Sequence, residues 1–236
     1  MPYGLTVSLH LNPGGQQFRG DRGAADPRVA AVLAAYQAGQ ASEQAALAAL
    51  AAARLLVPVV AVLAGEADRE HGGEKDSEMM LPTLIGRDGR SAVLAFTGLD
   101  ALARWRPDAR PIPAEAARVW RAAAADGCAV VIDVAGPVPL AVEGARLAAL
   151  AAGQPVPPPH EDPDVCAEVQ AAIAAEPAIG GFRLAPGREH GTDLAVTLRL
   201  SSAQEDWGPA ASRAAAGIAA RLAIRLRRGI EVDVAE

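Results

Sequence analysis

Apolar and polar positions change period several times along this chain, and each change marks an element. Asp26-Pro27 puts a side-chain acceptor at an N-cap and a proline at the first helical position. Val29, Val32, Leu33 and Tyr36 then follow at helical spacing as far as Gly39. Ser42 and Glu43 open a second helix, with Leu47, Leu50 and Ala51 on one face, that ends near Arg54. Leu55 to Leu63 is nearly continuous Leu and Val, as expected for a strand covered on both sides. The stretch from Ala45 to Ala64 has the length of a membrane span. Arg54 and Pro58 interrupt it and its first half is mostly alanine, so it reads as a surface helix followed by a buried strand.

Gly65 to Gly73 is a polar, acidic loop. Met80–Ile85 and Ser91–Phe96 predict two strands joined at Gly86-Arg87-Asp88-Gly89, a hairpin connection supplied with glycine. Thr97 is expected to cap a short helix over Gly98–Trp105, and Pro107–Pro111 to form a rigid connector. Pro113 and Glu115 then open a helix with Ala116, Val119, Trp120 and Ala123 on one face, stopped by Gly127. Cys128–Val134 and Pro137–Val142 predict strands and Glu143–Ala152 a helix. Residues 1–25 form an irregular lead-in with a short strand within Leu5–Leu9.

Gly153 to Pro163 holds five prolines among polar and acidic residues, the composition of a linker. Beyond it, a helix over Asp164–Ala175, strands at Gly181–Leu184 and Leu194–Leu200, a long helix over Trp207–Arg228 and a strand at Ile230–Val234 follow in order. The expected fold is α+β. A mixed α/β domain occupies residues 1–152, the linker 153–163, and a small helix-strand-strand-helix-strand domain 164–236.

Composition narrows the classes. The hydrophobic fraction is 51% but aromatics are 3%, so the core must be built from Ala, Val and Leu. A net charge of −6 argues against general nucleic-acid affinity, which needs a positive field. Cys128 and Cys166 lie far apart with no Cys-x-x-Cys, which fits a reduced, cytoplasmic setting. The start of the chain carries no basic segment followed by an apolar block, so no secretion signal is expected.

One further compositional fact concerns Lys75, the only lysine; every other cation of this kind is arginine. It lies in Glu74-Lys75-Asp76-Ser77-Glu78-Met79. That segment, with Arg54-Leu55-Leu56-Val57-Pro58-Val59-Val60, Leu81-Pro82-Thr83-Leu84, Gly89-Arg90, Ala95-Phe96-Thr97 and Trp105-Arg106-Pro107-Asp108-Ala109-Arg110-Pro111, resembles the SseB family, in particular its actinobacterial branch. Gly20 to Pro27 and Asp133-Val134-Ala135-Gly136-Pro137 fit the same pattern, so the resemblance covers residues 18–150. It implies a family named for an enhanced-serine-sensitivity phenotype, with no established catalytic mechanism, catalytic residues or cofactor to carry over. Family members often have serine where this chain has Gly98, a change expected to affect only the helix start.

The candidate chemistry is sparse. Glu66, Asp68, Glu70, His71, Glu74, Asp76 and Glu78 could meet a hard cation, but the loop lacks calcium-loop spacing and no His-x-x-x-His supplies zinc ligands. Such alternating acids are ordinarily just solvated, so no metal or cofactor is expected. Lys75 pairs with its acidic neighbours or meets a partner's carboxylate or phosphate. A catalytic amine would need a lowered pKa, and those neighbours oppose one. Trp105, Arg106 and Arg110 form a stiff aromatic and cationic corner, suited either to a binding hot spot or to packing with arginines on local carbonyls. The final helix would carry Arg221, Arg225 and Arg228 on one face, complementing its dipole. The expected binding surface is Glu74, Lys75, Asp76 and Glu78, the hairpin tip at Arg87 and Arg90, and Trp105, Arg106 and Arg110. The expected role is a non-catalytic cytoplasmic module for an unidentified protein partner. A sensor of a small amino-acid-like metabolite and a metal-dependent hydrolase are the other readings, with neither membrane nor nucleic acid as partner.

Overall fold

The structure, a computed structural model, describes residues 6–7, 18–59, 81–85, 89–188, 191–201 and 207–235. The elements within them are α1 (Pro27–Gln37), α2 (Glu43–Ala51), α3 (Leu99–Trp105), α4 (Ala116–Ala125), α5 (Gly144–Ala151), α6 (Pro163–Ile173) and α7 (Gly208–Leu222). The strands are β1 (Thr6–Val7), β2 (Arg54–Val59), β3 (Leu81–Ile85), β4 (Ser91–Ala95), β5 (Arg110–Glu115), β6 (Ala129–Ile132), β7 (Leu140–Val142), β8 (Ile179–Ala185), β9 (Leu194–Leu200) and β10 (Ile230–Ala235). The fold is α+β, as the periodicity predicts.

Three sheets are formed among the described residues, with orders β1-β3-β4-β6-β7, β2-β5 and β10-β9-β8. In the first, β4 and β6 are parallel neighbours, in register from Ala92↔Ala129 to Ala95↔Ile132. The segment between them crosses over through α3, β5 and α4. Leu55, Val57, Val93, Ala95, Val130 and Ile132 pack with Leu33, Tyr36, Leu47, Leu50 and Trp120 into the main core. On the opposite face, Leu56, Leu94, Phe96 and Leu102 form a second cluster. Leu55 and Leu56 therefore enter different cores, which explains the unbroken apolar run in β2. In the third sheet Leu194, Val196 and Leu198 meet Val165 and Val169 of α6 and Ile218 and Leu222 of α7.

Both early caps form as the residues dictate. The Asp26 carboxylate accepts from the Arg28 amide at 2.7 Å and the Ser42 hydroxyl from that of Ala45 at 3.2 Å. Three expectations fail. Thr97 caps nothing: Gly98 holds the N-cap position of α3 without a side-chain bond. The expected connector turns at Pro107–Asp108, but its end at Arg110–Pro111 and the helix start at Pro113 are instead β5, antiparallel to β2 with Leu56 opposite Pro113 and Pro58 opposite Pro111. Leu56 directs its own amide and carbonyl away from β5, exchanging both bonds with Phe96 at 2.7 and 2.8 Å. With a period of two, Pro58, Pro111 and Pro113 occupy positions where the pair requires no amide donor. Finally, α7 ends at Leu222, so Arg225 and Arg228 lie in turns beyond it and do not continue an arginine face.

Candidate functional site

The carboxyl ends of the parallel pair β4 and β6 meet at Thr97 and Asp133. The Asp133 amide donates to the Ala95 carbonyl at 3.0 Å, one last rung across the two strands. Its backbone then turns to φ 47°, a left-handed conformation that aspartate tolerates better than most residues. This turn holds the carboxylate beneath Thr97. The Thr97 amide donates to Oδ1 at 2.8 Å and its hydroxyl to Oδ2 at 2.7 Å. Asp133 is fully buried. Burial pushes its carboxyl pKa up, against the opposing pull of the two Thr97 bonds and the Arg104 charge.

A strap of residues 21–25 lies across this crest, fastened by Arg54. The guanidinium donates to the Thr97 carbonyl at 3.0 Å and to the Ala24 carbonyl, and pairs with Asp21 at 2.7 Å. Asp21 also accepts the Gly23 amide at 2.7 Å, and the Leu99 amide donates to the Gly23 carbonyl at 2.8 Å. Gly98 matters to more than the helix start. A Cβ there would come within 2.8 Å of the Ala25 nitrogen, so glycine lets the strap lie against α3. Between strap, α1 and α3 is a cavity of about 550 Å³, walled by Ala25, Leu33, Ala34 and Val138 and bearing Arg22 and Arg104.

A second polar centre joins the first sheet's helices to the C-terminal segment. Glu43 and Arg146 are each 4% exposed and meet at 2.5 Å. Arg225 reaches the same Glu43 carboxylate through Nη2 at 3.0 Å and through Nε at 3.2 Å. Its Nη2 also contacts Asp162 at 2.5 Å. Asp162 in turn caps α6 through the Asp164 amide at 2.9 Å. Tyr36 donates to the carbonyls of Ile224 and Arg225 at 3.1 and 3.0 Å, while Arg227 lies over its ring at 5.1 Å. Burial, helped by the Glu43 charge, pushes the Tyr36 pKa up and keeps the phenol a donor. These bonds take up carbonyls left open just beyond α7, which is why the chain turns there.

Of the binding residues expected from sequence, Glu74, Lys75, Asp76, Glu78 and Arg87 lie outside the described residues. So does the whole acidic loop from Glu66 to Glu78; among the described residues no cluster of His, Cys, Asp and Glu could hold a metal ion. Trp105 and Arg106 do come together. Trp105 is half-buried against Phe96, with ring centroids 5.5 Å apart, and the Arg106 guanidinium lies 5.4 Å from the Trp105 ring. Arg106 also pairs with Asp108 at 3.7 Å, and Arg110 is exposed at the first position of β5. Arg90 lies elsewhere. It precedes β4, whereas Phe96 follows it, and it pairs with Glu143 at 2.6 Å. A five-residue strand, roughly 17 Å long, separates the two ends.

The buried charges were not singled out from sequence. Arg146 is a lone cation inside the apolar run Gly144–Ala151, and Glu43 an acid opening an alanine-leucine helix; an isolated charge on an apolar face is the signal that would have found them. Cys128 is buried and Cys166 exposed, both as free thiols, and burial pushes the Cys128 pKa up, away from a reactive thiolate. Among the described residues no helix is long and apolar enough to cross a membrane.

No curated protein and no solved structure matches the chain. A family model does: the SseB protein N-terminal domain matches residues 29–149, from α1 through α5, and so takes in the parallel pair, Thr97, Asp133 and the Trp105–Arg110 corner. The chain belongs to the SseB family.

Proposed function

We propose that this protein is a non-catalytic regulatory module whose main partner is another protein, met at the corner formed by Trp105, Arg106 and Arg110. The observation that carries this reading is the contact of Trp105 with both Phe96 and Arg106. The ring packs at a tilt against Phe96 and has the Arg106 guanidinium over it, so the corner is set before a partner arrives and loses little entropy on contact. The exposed Arg110 adds a charge at the start of β5. The Asp133 carboxylate supports a structural use of that acid, since both its oxygens already accept bonds from Thr97. In this reading the module works in the cytoplasm, and the chain divides into residues 1–152 and 164–236 around the proline-rich segment. In this reading Lys75 and Arg87 also contribute to recognition.

The test is capture of binding partners from the native host with the full chain and with Arg106→Glu and Arg110→Glu. Arg110 is exposed, so its reversal should change stability by less than about 0.5 kcal/mol. Arg106→Glu also gives up the Trp105 ring contact, a loss of about 0.5–1 kcal/mol that leaves the chain folded. The expected outcome is loss of the same copurifying protein from both variants. Variants that retain every partner of the parent would sink the proposal.

A second reading is favoured by one observation, the roughly 550 Å³ cavity under the strap, which falls in the size range of small-molecule sites. In that reading the protein binds an amino-acid-like metabolite.

A further inference from the structure

The cavity beneath the strap lies outside the carboxyl ends of two parallel strands, the place where open α/β sheets commonly receive ligands. Its chemistry is uneven. The walls are small and aliphatic, from Ala25, Leu33, Ala34 and Val138. Its cations are Arg22 and Arg104. Among the described residues neither carries a hydrogen bond or ion pair, in contrast to Arg54 at the base of the strap, whose guanidinium is taken by Thr97, Ala24 and Asp21. Of the acids, Asp133 has both oxygens bonded to Thr97 while still feeling the Arg104 charge, and Asp100 is the second opposing carboxylate. An arginine's planar fork of donors matches a carboxylate, and a pair of such cations beside an apolar wall asks for an anion with a short hydrocarbon body.

We infer that this cavity binds a small organic carboxylate, with the carboxylate held by Arg22 and Arg104 and its short apolar body against the alanine and valine walls. This rests on the small-metabolite reading and specifies the polarity of the ligand. The strap gives the site its rigidity. Arg54 ties Ala24 to Thr97, so the mouth is held in place before the ligand enters, and little ordering is left to oppose binding.

The experiment is titration of the full chain with isobutyrate, isobutyramide and isobutylamine, three probes with the same isopropyl body carrying negative, no and positive charge, followed by calorimetry and ligand-observed NMR. Isobutyrate should bind best. Arg104→Ala should weaken it about tenfold, the loss of one charged hydrogen-bond donor. Arg104→Lys should recover part of that affinity. Ala34→Trp, an exposed α1 position on the cavity wall, should abolish binding while unfolding by denaturant stays as in the parent. Preference for isobutylamine, abolished by Ala34→Trp, would overturn the carboxylate and assign recognition to Asp100, leaving a small-molecule site intact. Binding of no probe, or binding indifferent to Ala34→Trp, would overturn both the carboxylate and the small-metabolite reading.

Discussion

Among the described residues the sheet crest and the interhelical joint both bury carboxylates, and they stabilise them in opposite ways. At the sheet crest Asp133 is satisfied by neutral donors from one residue, Thr97, and no cation bonds to it. At the joint between α2, α6 and the segment after α7, Glu43 and Asp162 are satisfied by guanidinium groups, and Arg225 serves both. The crest can tolerate a neutral carboxyl, because its partners are uncharged. The joint cannot, because each charge there is buried on account of the others. Burial alone therefore does not say what a charged residue contributes; the charge of its donors decides how it responds to mutation and to pH.

The sharpest way to break this contrast is Arg225→Met. It leaves Glu43 to Arg146 alone and takes the cation from buried Asp162, and unpairing a buried charge typically costs about 3–5 kcal/mol. Chemical denaturation should show the whole loss, and adding Asp162→Asn to that variant should recover part of it, since Asp162 is the acid left without a cation. A loss as small as that of an exposed ion pair would mean that water reaches the joint. Thr97→Val tests the crest with a nearly isosteric change. Asp133 keeps the amide donor and loses the hydroxyl, so the expected cost is about 1–3 kcal/mol, less than at Arg225.

The smallest effect concerns pH. The Asp133 carboxyl binds its proton more tightly in the folded chain than at its ordinary pKa of 3.8, so the folded state gains from protonation. Its contribution is fully present below that value and declines as pH rises through the raised folded value. Asp133→Asn should flatten this decline in a denaturation series across the acidic range. Glu176 acts with the opposite sign, since its bond to Arg213 pulls its pKa below the ordinary one and its contribution fades on acidification. An unchanged slope in Asp133→Asn would show that the crest carboxylate is not the group responsible.

Most elements were legible because a local pattern suffices to specify them. Asp26-Pro27 and Ser42 carry their caps in adjacent residues, and β4 and β6 carry their own apolar runs. Pro111 and Pro113 were misread because a proline that opens a helix and one at an amide-free position of a two-stranded pair look the same in sequence. Only the partner β2, whose Leu56 turns towards Phe96, distinguishes them. The end of α7 was misplaced for a related reason. Leu222 and Leu226 keep helical spacing, but the carbonyls just beyond the helix are claimed by Tyr36, nearly the whole chain away. The family and the aromatic corner were visible as words in the sequence. The crest and the joint are made of pairs separated by 36 and 182 residues, and no single window contains both partners.

The joint also bears on how such a chain can be exchanged between relatives. A crossover within the proline-rich segment would inherit Glu43 and Arg146 from one parent and Arg225 from the other, with Asp162 at the seam. Such hybrids should survive only where both parents carry the same charge arrangement, so the segment that looks most permissive to recombination is policed by four residues, three of them outside it.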